Sequence, residues 1–73
     1  MRKDEEQAHS KSCFNRAKHT EMIFVLLARD KAAPETIREW CRLRISLGLN
    51  RPNDDQIKEA YECARLMTIE RDL

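Results

Sequence analysis

Residues 34–48, with the sequence PETIREWCRLRISLG, contain a helix start, a helical period and a helix stop. Pro34 suits the first turn of a helix, because its missing N–H would have no intrahelical partner there and its φ is already helical. Apolar side chains recur every three to four residues around Trp40, the only tryptophan of the chain. Gly48 suits the left-handed position that ends a helix. The stretch therefore predicts a helix over residues 34–47, with Trp40 in the core.

A second helix is predicted over residues 54–70. Asn53 can cap its first turn, and Gln56 lies three residues later, where the partner in a capping box belongs. The connection between the two helices is short, which favours an antiparallel arrangement. The sequence therefore predicts an all-α fold built on a helical hairpin. The second helix contributes one stripe of apolar and small side chains to its core: Ile57, Ala60, Tyr61, Ala64, Met67 and Thr68.

Residues 22–28, MIFVLLA, form the densest apolar run of the chain. A short run of this composition is compatible with a buried helix segment or a buried strand, and both alternatives stay open. A strand here would be alone in the chain, so its backbone groups would need a partner from another copy. In either conformation the run is more apolar than one face of a hairpin can cover, so we expect it to pack on the hairpin and to form a homodimer or higher homo-oligomer. The candidate interface residues are Met22, Phe24, Leu26 and Leu27.

Residues 1–19 are charged and have little apolar content. They favour a marginal helix that frays or is partly disordered without a partner. The remaining residues, 20–73, are predicted to form the helical domain. A chain of 73 residues makes one domain at most and gains from a partner subunit.

The charge of the chain is nearly balanced overall but unevenly distributed. Residues 1–51 hold eleven Lys and Arg against seven Asp and Glu, whereas residues 52–73 hold three against six. The two segments are expected to face each other within the fold or across a dimer. A nucleic-acid-binding protein would normally carry a larger positive excess than the net charge of +1 found here.

The sequence predicts a protein of the cytoplasm. No apolar run reaches the length of a membrane span, and the charged start lacks the apolar core of a signal peptide. Cys13, Cys41 and Cys63 are odd in number and widely spaced, so they are expected to be reduced thiols.

No arrangement of residues in the sequence predicts catalysis. His9, Cys13 and His19 lack the close pairs that a zinc site needs. There is no glycine-rich phosphate loop and no nucleophile motif. We expect no catalytic residue, no cofactor and no metal site.

Basic residues near the first helix are the candidates for binding a partner or a ligand. Their side chains could meet phosphates or carboxylates, but the favoured interpretation is salt bridging to Glu35 and Glu39 or to Glu59 and Glu62. Asp30 is expected to turn the chain before Pro34 through a bond from its side chain to the backbone. The candidates are Arg29, Lys31, Arg38 and Arg42.

Residues 24–67 also carry a recognisable pattern. FVLLARDxxAPxxIRxW is followed by LGLN and then by DxQIxEAxxCAxxM. This pattern resembles small accessory proteins of tailed bacteriophages and prophages, which bring no activity that can be transferred to particular residues. The resemblance implies an accessory protein made in a bacterial cytoplasm, and such proteins often interfere with a host function, including immunity.

The sequence therefore favours a non-enzymatic binding protein that inhibits a host or defence component by protein–protein contact. One alternative is an oligomeric sponge that sequesters a small anionic, nucleotide-like signal. The other alternative is a nucleic-acid-binding protein. A host protein is the expected partner besides a second copy of the chain, and no membrane contact is expected.

Overall fold

The computed structural model describes the backbone of residues 1–72 and the side chains of residues 1–70. This part of the chain is helical and contains no strand, and its two long helices pack against each other. The all-α hairpin predicted from the sequence is thereby confirmed. The helices of the described residues are α1 (Lys3–Ala8), α2 (Cys13–Arg16), α3 (Ala33–Ser46) and α4 (Asp55–Asp72).

The end of α3 follows the predicted stop signal. Gly48 adopts a φ of +72°, in the left-handed region that favours glycine. The N–H of Gly48 donates to the carbonyl of Ile45 at 3.0 Å, and the N–H of Leu49 donates to the carbonyl of Arg44 at 2.9 Å. These two bonds form a Schellman motif, which satisfies carbonyls that the helix leaves without a partner.

The start of α4 differs from the prediction. Asp54, not Asn53, immediately precedes the helix, and its carboxylate accepts hydrogen bonds from the N–H of Arg51 and from the side chain of Asn50. Gln56 also accepts from Asn50, so it does not complete a capping box with Asn53. The capping box is not formed because Asn50, which lies in the connection, bonds to the side chains of both Asp54 and Gln56.

The core lies between α3 and α4 and is built mainly from small residues. Ile57 and Cys41 are the largest fully buried side chains, and Ile37 and Ile45 pack against them. The prediction that Ile57 belongs to the core is confirmed. Small side chains let two helices approach closely, so a limited apolar area is buried at high packing density. The other buried side chains of the described residues are Ala33, Pro34, Ala60 and Ala64.

The prediction that Trp40 belongs to the core is wrong. Its side chain is 39% exposed, and the guanidinium of Arg44 lies 5.6 Å from the centroid of its ring. Cys41 occupies the face of α3 that meets α4, and the next residue along a helix is turned by about 100°, which moves Trp40 to the edge of that face. Leu43 and Leu47 lie still farther round the helix and are 52% and 69% exposed.

The N-terminal segment forms two short helices in place of one marginal helix. The Ser12 hydroxyl accepts from the N–H of Asn15 and donates to the carbonyl of Glu6 at 2.6 Å. The side-chain amide of Asn15 donates to three carbonyls of the preceding helix and turn. These side chains compete for backbone groups that a continuous helix would use, so the helix is interrupted between α1 and α2.

Within one copy of the chain, the apolar run at residues 22–27 is neither a helix nor a strand, so the helix alternative is wrong, and the strand alternative, which needs a second copy, stays a prediction. Turns bound it on both sides: the N–H of Glu21 donates to the carbonyl of Lys18, and the N–H of Asp30 donates to the carbonyl of Leu27. The carboxylate of Glu21 accepts from the N–H of Lys18, which stabilises the first turn. A strand requires a neighbouring strand, and the described residues offer none.

Candidate interaction surface

The run at residues 22–27 presents its side chains to solvent. Met22 is 96% exposed, Phe24 is 84% exposed and Val25 is 62% exposed. Within the described part of the chain, the backbone groups of residues 22–26 make no hydrogen bond. The run is therefore a continuous apolar segment whose backbone is also open to a partner.

The rest of the N-terminal region supports the run from one side. A groove of about 550 Å³ lies between the run and the short helices, and Met1, Cys13 and Phe14 line it. Leu26 is half-buried, and it lines a second groove that reaches α4. The C-terminal end of the segment therefore shares a groove with α4.

Arg2 connects the N-terminal region to α4. Its guanidinium forms an ion pair of 2.6 Å with the carboxylate of Glu70, which raises the pKa of Arg2. Both side chains are well exposed to solvent, so the pair positions the segment more than it stabilises it.

All four aromatic side chains of the chain are exposed. Phe24 is the most exposed, Phe14 is 49% exposed, and Trp40 and Tyr61 are each 39% exposed. Aromatic side chains dominate the energetics of cores and interfaces, so their position outside this core makes the surfaces around them candidates for contact with a partner.

A second apolar surface consists of Trp40, Leu43 and Leu47, which we call the outer face of α3. The three residues are spaced by three and four positions and lie next to the face that meets α4. The guanidinium of Arg44 lies over Trp40 and also donates through Nε to the Asn50 side chain at 2.6 Å, so its position is fixed. Of these three residues, Trp40 was expected in the core, but the small residues Ala60 and Ala64 of α4 are buried there instead.

The basic candidate residues do not converge on one site. Arg42 forms an ion pair of 2.6 Å with Glu39, which raises the pKa of Arg42, and Arg38 lies 3.8 Å from Glu35. Both arginines therefore pair within α3, as the favoured interpretation predicted. The alternative partner Glu62 bonds to Arg65 instead.

Arg29 and Lys31 flank the turn that separates the run from α3. Both are exposed, and Arg29 makes no ion pair with the described residues. Asp30 accepts a hydrogen bond of 2.9 Å from the N–H of Ala32, which confirms its predicted role in the turn. Arg29 therefore lies in the turn that directly follows the run, with an exposed side chain.

Two of the three cysteines are protected by burial. All three are free thiols, and burial raises the pKa of both Cys41 and Cys63. A raised pKa keeps a thiol protonated and therefore a poor nucleophile and a poor metal ligand. Within the described residues, no group of His, Cys, Asp and Glu is arranged to hold a metal ion.

None of the described helices is long and apolar enough to cross a membrane. Comparison with protein-family models, with curated proteins and with solved structures finds no match for this chain.

Proposed function

We propose that this chain is a non-enzymatic accessory binding protein that inhibits a host or defence component by protein–protein contact in a bacterial cytoplasm. The observation that carries the proposal is the exposure of every aromatic side chain on a fold whose largest buried side chains are Ile57 and Cys41. Exposed apolar surface of this extent marks interaction sites on small proteins. The resemblance to phage accessory proteins supports the bacterial context.

In this proposal, two surfaces bind two different partners. Residues 22–27 join two copies of the chain into a homodimer, because the run is uncharged and each copy offers the same patch. The outer face of α3 contacts the host protein. Tryptophan and arginine are enriched among residues that dominate binding energy, and Trp40 with Arg44 supplies both in one fixed arrangement.

The sponge for a small anionic signal has less support. Such a ligand needs cations that converge on its negative charges, whereas Arg38 and Arg42 already pair with Glu35 and Glu39. Binding of nucleic acid has less support for the same reason and because the net charge is only +1.

Quantitative affinity capture from a bacterial lysate tests the proposal. Wild-type protein should retain a defined host protein, and Leu43→Glu should lose it because a charge is placed in the middle of the outer face of α3. Ile69→Glu is the matched control, since Ile69 is an exposed apolar residue on α4 and should leave capture unchanged.

Two results would contradict the proposal. A small anion released from denatured wild-type protein and identified by mass spectrometry would favour the sponge. A salt-dependent gel shift with nucleic acid, unaffected by Leu43→Glu, would favour the nucleic-acid-binding alternative.

A further inference from the structure

We propose that residues 21–29 of two copies pair as an antiparallel β-ribbon whose twofold axis passes through Val25. This inference rests on the proposed homodimer and specifies how its two chains meet. The partner is a second copy of the same segment, which becomes a strand only when the copies associate.

The backbone provides the first argument. The N–H and carbonyl groups of residues 22–26 make no hydrogen bond within the described chain, and no helix occupies the segment. β-branched and aromatic side chains favour a strand, and Ile23, Phe24 and Val25 are consecutive. A second copy of the segment would supply the missing donors and acceptors in one step.

The charges at the two ends select the direction and the register. Glu21 precedes the run and Arg29 follows it. In an antiparallel pair centred on Val25, Glu21 of each copy lies opposite Arg29 of the other. A parallel pair would place like charges opposite each other at both ends, which is destabilising.

The same register is compatible with the way side chains alternate between the two faces of a strand. Ile23 lies opposite Leu27 and Phe24 lies opposite Leu26, so each cross-strand pair is apolar between the charged ends. Residues that face each other across the twofold axis also lie on the same side of the ribbon, as alternation in a strand requires.

The area of the run fits a small dimer contact. With the exposed fractions of Met22 to Val25 and Leu27 and typical side-chain areas, each copy exposes on the order of 600 Å² of apolar surface, which is below the ~800 Å² that each partner contributes to a standard interface. The neighbouring groove beside α1 and α2 provides additional surface for the partner strand.

Disulfide trapping tests the register. Val25→Cys, made in a Cys13→Ser background, should form a covalent dimer under mild oxidation, because directly opposed residues of antiparallel strands are about 4.5–5.5 Å apart between Cα atoms. Met22→Cys alone should not, since the two copies of residue 22 would be roughly 20 Å apart. A mixture of Met22→Cys and Ala28→Cys chains should cross-link, because these residues face each other.

Charge reversal gives a test that does not use cysteine. Glu21→Arg and Arg29→Glu should each raise the dissociation constant of the homodimer by up to about tenfold. An equimolar mixture of the two variants should form heterodimers at least as tightly as wild type, because opposite charges then meet at both ends. This restoration also controls for the bond that Glu21 makes to Lys18 in the first turn.

The outcomes separate this inference from the proposed function. Two results would overturn the register: cross-linking of Met22→Cys to itself, or a lack of heterodimers in the mixture of Glu21→Arg and Arg29→Glu chains. Either result would do so even if the protein is a dimer that Phe24→Glu dissociates. A wild-type monomer would overturn the ribbon, while capture of the host protein through the outer face of α3 would remain separately measurable.

Discussion

The helical hairpin and the N-terminal region use apolar residues in opposite ways. Between α3 and α4, alanines, Cys41 and Ile57 are buried, and the connection is fixed by a Schellman motif and by Asn50. The N-terminal region contains larger apolar side chains, but Met22 and Phe24 are almost fully exposed. Small residues and isoleucines therefore build the hairpin, whereas the aromatic side chains stay on the surface.

The largest expected effect on stability is at Ile57. Ile57→Ala removes the largest fully buried aliphatic side chain and should lower the free energy of unfolding by ~2–5 kcal/mol. Urea denaturation measures the change, and Ile69→Ala, at an exposed position on the same helix, should cost far less. If the two variants lose equal amounts of unfolding free energy, the hairpin core does not determine the stability of the protein.

The next effect is expected in the connection between the helices. Asn50→Ala removes the acceptor for Arg44 and the donor to Asp54 and Gln56, so it should cost about 1–2 kcal/mol. Asn53→Ala is the matched control, because Asn53 is exposed and lies in the same connection. A thermal melt that ranks the two variants in the reverse order would contradict the role given to Asn50.

Trp40→Ala should lower the free energy of unfolding by less than Ile57→Ala does, although tryptophan is the larger side chain. Its ring is partly exposed, and the contact with Arg44 is expected to contribute about 0.5–1 kcal/mol. Chemical denaturation compares the two variants directly. A loss at Trp40 that exceeds the loss at Ile57 would place tryptophan in the core after all.

A smaller, pH-dependent effect is expected at Asp54. Bonds from the Arg51 N–H and from Asn50 hold the pKa of its carboxyl below the ordinary value of 3.8. The stabilisation is therefore present above pH 3.8 and is lost as the pH falls through the folded-state pKa. The difference in Tm between wild type and Asp54→Asn should shrink on acidification, and a difference independent of pH would contradict this assignment.

The hairpin could be predicted because its signals are local. Pro34 and Gly48 mark the ends of α3 by their own backbone preferences, whatever they pack against. The environment of Trp40 could not be predicted in the same way. Helical periodicity gave one wide apolar arc on α3, and the division of that arc depends on where Ala60 and Ala64 allow α4 to approach.

The candidate surface was only partly predictable. The density of apolar residues at 22–28 predicted a segment that one hairpin cannot cover, and Met22 to Val25 and Leu27 are indeed exposed, whereas its role as an interface stays a prediction. Its conformation could not be derived, because a strand depends on a partner that the sequence of one copy does not contain. The pairing of Arg42 with Glu39 was predictable because residues three apart are neighbours on a helix.

Sedimentation equilibrium at micromolar concentration tests the central claim, that residues 22–27 form a binding surface and contribute little to the hairpin. Wild type should sediment as a dimer, and Phe24→Glu should sediment as a monomer that keeps the helical content of wild type. Leu43→Glu, which changes an exposed residue of the hairpin, should remain a dimer. A wild-type monomer at every concentration, or a Phe24→Glu variant that stays dimeric, would contradict the account.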